Sequence, residues 1–173
     1  MNGIRRYALV LAVYLNTRGF AFVLFEGHLS PFDWGIRETR GPRKHKRSLA
    51  RVVKILDCYV PDILVIQDTS PLGTRRARRI TELNAAIAGL AKGRGIPIYA
   101  YSRDQVRGAF GYVGYLNKQI VAGLIAKHIP AFERYVPPPR KPWMSEDIRM
   151  GIFDAAALAL IFYRSINSDR QAT

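Results

Sequence analysis

One cysteine in 173 residues, Cys58, excludes an internal disulfide framework and any zinc site built on cysteines. Following Ile55 and Leu56 near a helix end, it is expected to be a small core residue. Histidine is almost as scarce: His28, His45 and His128 are scattered without ligand spacing, which argues against a histidine-centred metal site. Acidic residues are few, 13 against 27 lysines and arginines, leaving a formal charge of +14. Such a surplus repels itself and is tolerated chiefly where polyanions are partners. Nucleic acid is the first candidate and an anionic membrane surface the second. Long apolar runs are missing too, since none reaches the roughly 18 residues of a spanning helix. The stretch 7–15, preceded by Arg5-Arg6, superficially mimics a signal peptide. No small-x-small cleavage pattern follows, and 20–25 is apolar again, so a hairpin fits better. A soluble, intracellular (cytoplasmic, or nucleoid-associated) protein with no membrane partner is expected.

What is present is enough for a core: 49% of residues are apolar. A single domain over 1–166 with a frayed polar tail at 167–173 is expected. The unbroken apolar run Ile63-Leu64-Val65-Ile66, bounded by Pro61 and by Ser70-Pro71-Leu72-Gly73, predicts a strand at 62–67 buried on both faces. It ends in Gln67 and Asp68, at the carboxyl end where ligands sit in α/β sheets. Before it, 8–13 and 20–25 predict two strands joined by the turn Asn16-Thr17-Arg18-Gly19, with a third at 34–38 after a Ser30-Pro31 turn. Leu49, Val52, Val53 and Leu56 predict a helix over 48–59, entered through a basic loop. A helix through 83–90, a strand at 96–101 and a short helix capped by Ser102 with Gln105 at the capping-box position follow. Residues 117–128 predict a helix with Ile120 and Leu124 on its apolar face. Pro137-Pro138-Pro139 makes a stiff linker, and Ser145 is expected to cap a last helix over 146–163. Three strands, helix, strand, helix, strand, then helices is an α/β order: a five-stranded mixed sheet flanked by helices, the ribonuclease H-like architecture.

The segment from Ile98 through Val106-Arg107 and Gly111 to Lys118-Gln119-Ile120-Val121 resembles the RuvC family of Holliday-junction resolvases. The resemblance extends to Gly19, to Pro61-Asp62 and to Asp154-Ala155-Ala156-Ala157. It implies DNA cleavage by two divalent metals, Mg²⁺ or Mn²⁺, held by carboxylates at the ends of the first and central strands and on the last helix. It also implies a homodimer, for which the Ala-Gly surface of 82–92 is the candidate interface. This chain departs from the pattern: Tyr14 and Gln67 stand at the two strand positions, and the additional helix carboxylate falls on Gly151. Asp154 alone matches.

Asp154 is the strongest candidate, a carboxylate amid Ile152, Phe153 and three alanines, costly there unless paired. As an alternative, it restarts the helix as an N-cap. Asp68 is the candidate second metal ligand, provided the strand end shifts by one residue. Asp147 and Glu146 are candidate replacement catalytic acids, expected in the first turn of the last helix. For nucleic acid, the candidates are Arg43, Lys44, Lys46, Arg47 and Arg51 in one basic cluster and Arg75, Arg76, Arg78 and Arg79 in another. These runs lack the interspersed glutamates of an ordinary solvated face. Arg107, Asn117 and Lys118 join them through the resemblance. Tyr112, Tyr115 and Trp143 are aromatics in loops, where bases can stack. Three functions fit: a degenerate resolvase relative that binds branched DNA or structured RNA with weak or no cleavage; an active metal-dependent, structure-specific endonuclease; or a structural basic component of a nucleoprotein complex.

Overall fold

The computed structural model describes residues 8–70, 75–111 and 117–171, with the side chains of 75–77 outside that description. Strands β1 (Val10–Asn16), β2 (Gly19–Gly27) and β3 (Ser30–Glu38) form an antiparallel meander. Strands β4 (Ile63–Gln67) and β5 (Ile98–Tyr101) add to it in parallel, giving the sheet order β3-β2-β1-β4-β5. The helices are α1 (Lys44–Tyr59), α2 (Arg75–Gly93), α3 (Arg103–Phe110), α4 (Lys118–His128) and α5 (Met150–Gln171), with a 3-10 turn at Pro130–Tyr135. This is the five-stranded mixed sheet flanked by helices expected from the sequence.

Alternation along β1 sorts its side chains into two cores. Leu11, Val13 and Leu15 face α1 and α2, joined there by Leu64 and Ile66 of β4. Val10 and Ala12 face α5 and α4, with Tyr14 at the margin and Val65 of β4 beside them. Being buried on both faces is why β1 and β4 read as continuous apolar runs.

Several boundaries differ from expectation. The β2–β3 reversal falls at His28-Leu29, with Leu29 at φ 59°, so Ser30-Pro31 belongs to β3 and is not the turn. Helix α1 begins at Lys44, and its first turn carries Lys44, Lys46 and Arg47. Ser145 does not cap α5, which starts at Met150 and stays helical to Gln171, through most of the stretch expected to fray. The buried residues of α4 are Ala122, Ile125 and Ala126, while Ile120 and Leu124 are exposed, so the apolar face lies elsewhere than predicted. Cys58 is exposed on α1, not in the core. The capping box at Ser102 and Gln105 forms as expected. Helix α5 is long and apolar enough to cross a membrane by composition alone, contrary to the count of apolar runs; 67% of that window is buried in the fold, which accounts for its apolarity.

The hairpin depends on Gly19, whose φ is +151° and where an added Cβ would stand 2.0 Å from the Arg37 carbonyl oxygen. Gly19→Ala must therefore push β3 away. It is expected to lower the unfolding free energy by about 3 kcal/mol, read from the urea midpoint. An unchanged midpoint would show that the strands do not pack this closely.

Candidate functional site

Helix α5 lies against β1 and β2 because Gly151 allows it. A Cβ there would meet the Ala21 Cβ at 2.9 Å, with the Asn16 amide nitrogen 3.7 Å away. A side chain at 151 therefore forces the helix outward, and an aspartate does not fit without such a shift. Three residues on, Asp154 projects from the helix interior into a cleft of about 380 Å³. It is not an N-cap, since the helix already runs through it from Met150.

The cation that balances Asp154 comes from the start of α4. Asn117 caps that helix, its Oδ1 accepting from the Ile120 N–H at 2.9 Å, which sets Lys118 at the first helical position. Lys118 Nζ donates to Asp154 Oδ2 at 3.0 Å and to Glu146 Oε1 at 2.8 Å. It also lies 5.3 Å from the centroid of the Tyr14 ring. One ammonium thus satisfies two carboxylates over an aromatic face. Burial raises the Asp154 carboxyl to about 6, although Lys118 pulls the other way. Burial would lower the Lys118 ammonium, but Asp154, Tyr14 and Glu146 outweigh it and hold it above its ordinary value. The Tyr14 phenol is raised, first by burial and then by the Asp154 charge.

Gln67 and Tyr14 also line the cleft, as do Arg103, Arg107 and Arg140. The strand ends of β1 and β4 and the face of α5 therefore meet where the resemblance implies a metal centre. They bring a phenol, an amide and one carboxylate. Among the described residues, no group of three or more His, Cys, Asp or Glu side chains is placed to hold a metal ion. Of the three carboxylates that line the cleft, Asp154 and Glu146 are joined by Lys118 and Asp147 is paired with Arg149, so the donor set does not fit a two-metal centre.

Asp68 is not brought to Asp154. Its Oδ1 accepts from the Ser70 N–H at 3.0 Å and the Ser70 hydroxyl at 2.7 Å, an Asx turn that holds its carboxyl below the usual range. Alternation places Gln67 in phase with Val65, on the α5 side, so the next residue does not enter the cleft. Asp147 lines the cleft but is taken up by Arg149, 2.6 Å from its Oδ2, and its carboxyl is lowered chiefly by that contact. Glu146 and Asp147 both precede α5 and do not sit in its first turn.

The basic candidates form a separate surface. Arg43, Lys46, Arg47 and Arg51 are exposed along α1, with Arg47 and Arg51 donating to the carbonyls of Arg40 and Glu38. Arg78 and Arg79 are exposed at the start of α2, and Arg78 pairs with Glu82 at 3.1 Å. Burial and then the Arg79 charge lower the Lys44 ammonium, so the two clusters lie close enough to repel. Arg75 and Arg76 are on α2, but their side chains lie outside the described residues, as do Tyr112 and Tyr115 altogether. Lys118 as the partner of Asp154, and Arg103 and Arg140 as cleft walls, were not apparent from sequence; Asp154 and Lys118 are 36 residues apart with no local pattern linking them.

No protein-family model matches the chain, and no curated protein sequence matches it. Its fold is that of solved Holliday-junction resolvases. Thermus thermophilus RuvC in complex with a Holliday junction substrate aligns over 93% of this chain and 97% of its own, at TM-score 0.69 and 20% identity. The yeast mitochondrial Holliday junction resolvase aligns over 94% and 80%, at TM-score 0.61 and 14% identity. The fowlpox virus resolvase, in complex with Holliday junction DNA, aligns over 91% and 98%, at TM-score 0.54 and 13% identity. At these identities the likeness is one of fold.

Lys118→Met leaves the Asp154 carboxylate buried without its counter-ion. The folded-state value of Asp154, about 6, already exceeds the ordinary unfolded value of about 4. The folded protein therefore holds a proton that the unfolded chain lacks between those pH values, and stability falls as pH rises through them. Removing Lys118 widens the window upward. Urea unfolding is expected to show a loss of about 3 kcal/mol at pH 8 and about 1 kcal/mol at pH 5. Equal losses at both pH values would mean that Lys118 does not balance Asp154.

Proposed function

We propose that this protein binds branched DNA as a RuvC-like fold whose cleft no longer assembles a metal-dependent cleaving centre. The observation that carries this is the Lys118 ammonium, held 3.0 Å from Asp154 and 2.8 Å from Glu146 where the fold's strand ends converge. Tyr14 and Gln67 supply no carboxylate, and Gly151 has no room for one. Binding needs no such centre. It needs cations that replace the counter-ions of phosphates, and the chain presents Arg103, Arg107 and Arg140 at the cleft and two basic helix starts away from it. Branched DNA is favoured over plain duplex because the solved structures that share the fold include two bound to Holliday junctions. Two separated basic surfaces also suit a ligand whose arms diverge.

The rival, an active nuclease, has one specific support: Glu146 and Asp154 both reach a single cation position, which a divalent ion could take if Lys118 swung away. A labelled four-way junction, a fork and a linear duplex, incubated in Mg²⁺ and then Mn²⁺, separate the two. The expected outcome is junction binding that weakens linearly in log–log salt titration, with no cut product in either metal. Arg43→Glu with Lys46→Glu is expected to weaken binding at least about tenfold and to reduce the salt slope by about 2. Metal-dependent cuts abolished by Asp154→Asn would establish the nuclease instead. No binding at low salt would refute both.

A further inference from the structure

The wall of the cleft contributed by residues 137–149 carries a feature that neither ion pairing nor packing uses. Its base is fixed: Gln119 Nε2 on α4 donates to the Pro137 carbonyl at 2.6 Å, and Pro137 is buried. Pro138 and Arg140 then line the cleft. At the outer end the Met144 N–H donates to the Lys141 carbonyl at 3.0 Å, closing a four-residue turn with Pro142 at its second position and Trp143 at its third. Proline at that place pre-sets the turn and lowers the entropy of holding it. Trp143 is 78% exposed and Met144 50%. Lys141 Nζ lies 5.4 Å from the Trp143 ring centroid. No aromatic contact to Trp143 is made among the described residues. A large, flat, apolar ring is thus held in solvent on a hydrogen-bonded proline turn, with an ammonium beside it and a guanidinium three residues away at the cleft.

From this geometry we infer that Trp143 is a stacking platform for an unpaired nucleobase of the bound nucleic acid. The inference rests on the proposed DNA binding and adds to it which part of the strand is read. A phosphate drawn to Arg140 leaves its neighbouring base within reach of the turn, and Lys141 complements the next phosphate. Stacking on an aromatic face tolerates any base but requires that the base be out of a duplex stack, so this contact favours strand ends, gaps and branch points over intact duplex. Charge selects the occupant: a peptide or lipid tail seeking an apolar patch would meet Arg140 and Lys141 at its rim, whereas a nucleotide presents both the ring and the anion the site offers.

Trp143 and Trp34 are the two tryptophans of the chain, so Trp34→Phe makes Trp143 the sole reporter. Titrating that variant at low salt with a twelve-residue oligothymidylate, a four-way junction and a blunt duplex reads the contact directly. Expected are saturable quenching of the Trp143 emission by the single strand and the junction, and little by the duplex. Trp143→Ala is expected to weaken single-strand and junction binding roughly tenfold without changing the salt slope, because no phosphate contact is lost, while Trp143→Phe retains affinity within about threefold. The residue is exposed, so a folding defect is not at issue. Unquenched emission at saturation, or Trp143→Ala binding like the parent, overturns the stacking role and leaves DNA binding standing. Absence of any binding removes both.

Discussion

A carboxylate inside an apolar helix must be neutralised or protonated, and much of the cleft follows from that constraint. Asp154 sits between Phe153 and three alanines on α5, with its side chain 14% exposed. Leaving it charged and alone would cost several kcal/mol. Lys118 removes the problem and in doing so ties four pieces of chain together: α5, the start of α4, the Tyr14 end of β1 and the loop bearing Glu146. Asn117 contributes by capping α4, since without that cap the lysine has no fixed origin.

The same ammonium that holds the cleft together stands where the ends of β1 and β4 meet α5. A tethered monovalent charge does not polarise a phosphodiester or generate hydroxide as a pair of divalent ions does; shared between two carboxylates, it keeps the site compact without adding net positive charge. Attraction for anions comes instead from the guanidiniums of Arg103, Arg107 and Arg140, which line the same cleft. In the proposed reading, binding energy is spread over phosphate contacts and one aromatic surface, an arrangement suited to recognising shape and strand exposure rather than sequence.

Much of the fold was legible because its signals are local. Ile63 to Ile66 could only be a strand buried on both faces, and Ser102 with Gln105 formed the capping box that its spacing foretold. The errors have local causes too. Helix starts were misplaced where the basic run 44–47 looked like loop, although it forms an exposed first turn of α1, and where Ser145 looked like a cap, although α5 begins only where Met150 and Gly151 pack against the sheet. Ile120 and Leu124 misled because α4 buries small residues, Ala122 and Ala126, around Ile125 to approach α5 closely.

The sequence by itself determined the order of strands and helices, the excess of positive charge, and the lack of carboxylates at Tyr14, Gln67 and Gly151. These are properties of periodicity and composition, and periodicity is visible without knowing which surfaces meet. Only the tertiary structure decided that Asp154 is paired, that Asp68 is turned away onto Ser70, and that the partner lysine comes from 36 residues earlier. Pairing of a buried charge depends on distances between elements that no local pattern encodes, so its solution became visible only once α4 was packed beside α5 on one face of the sheet.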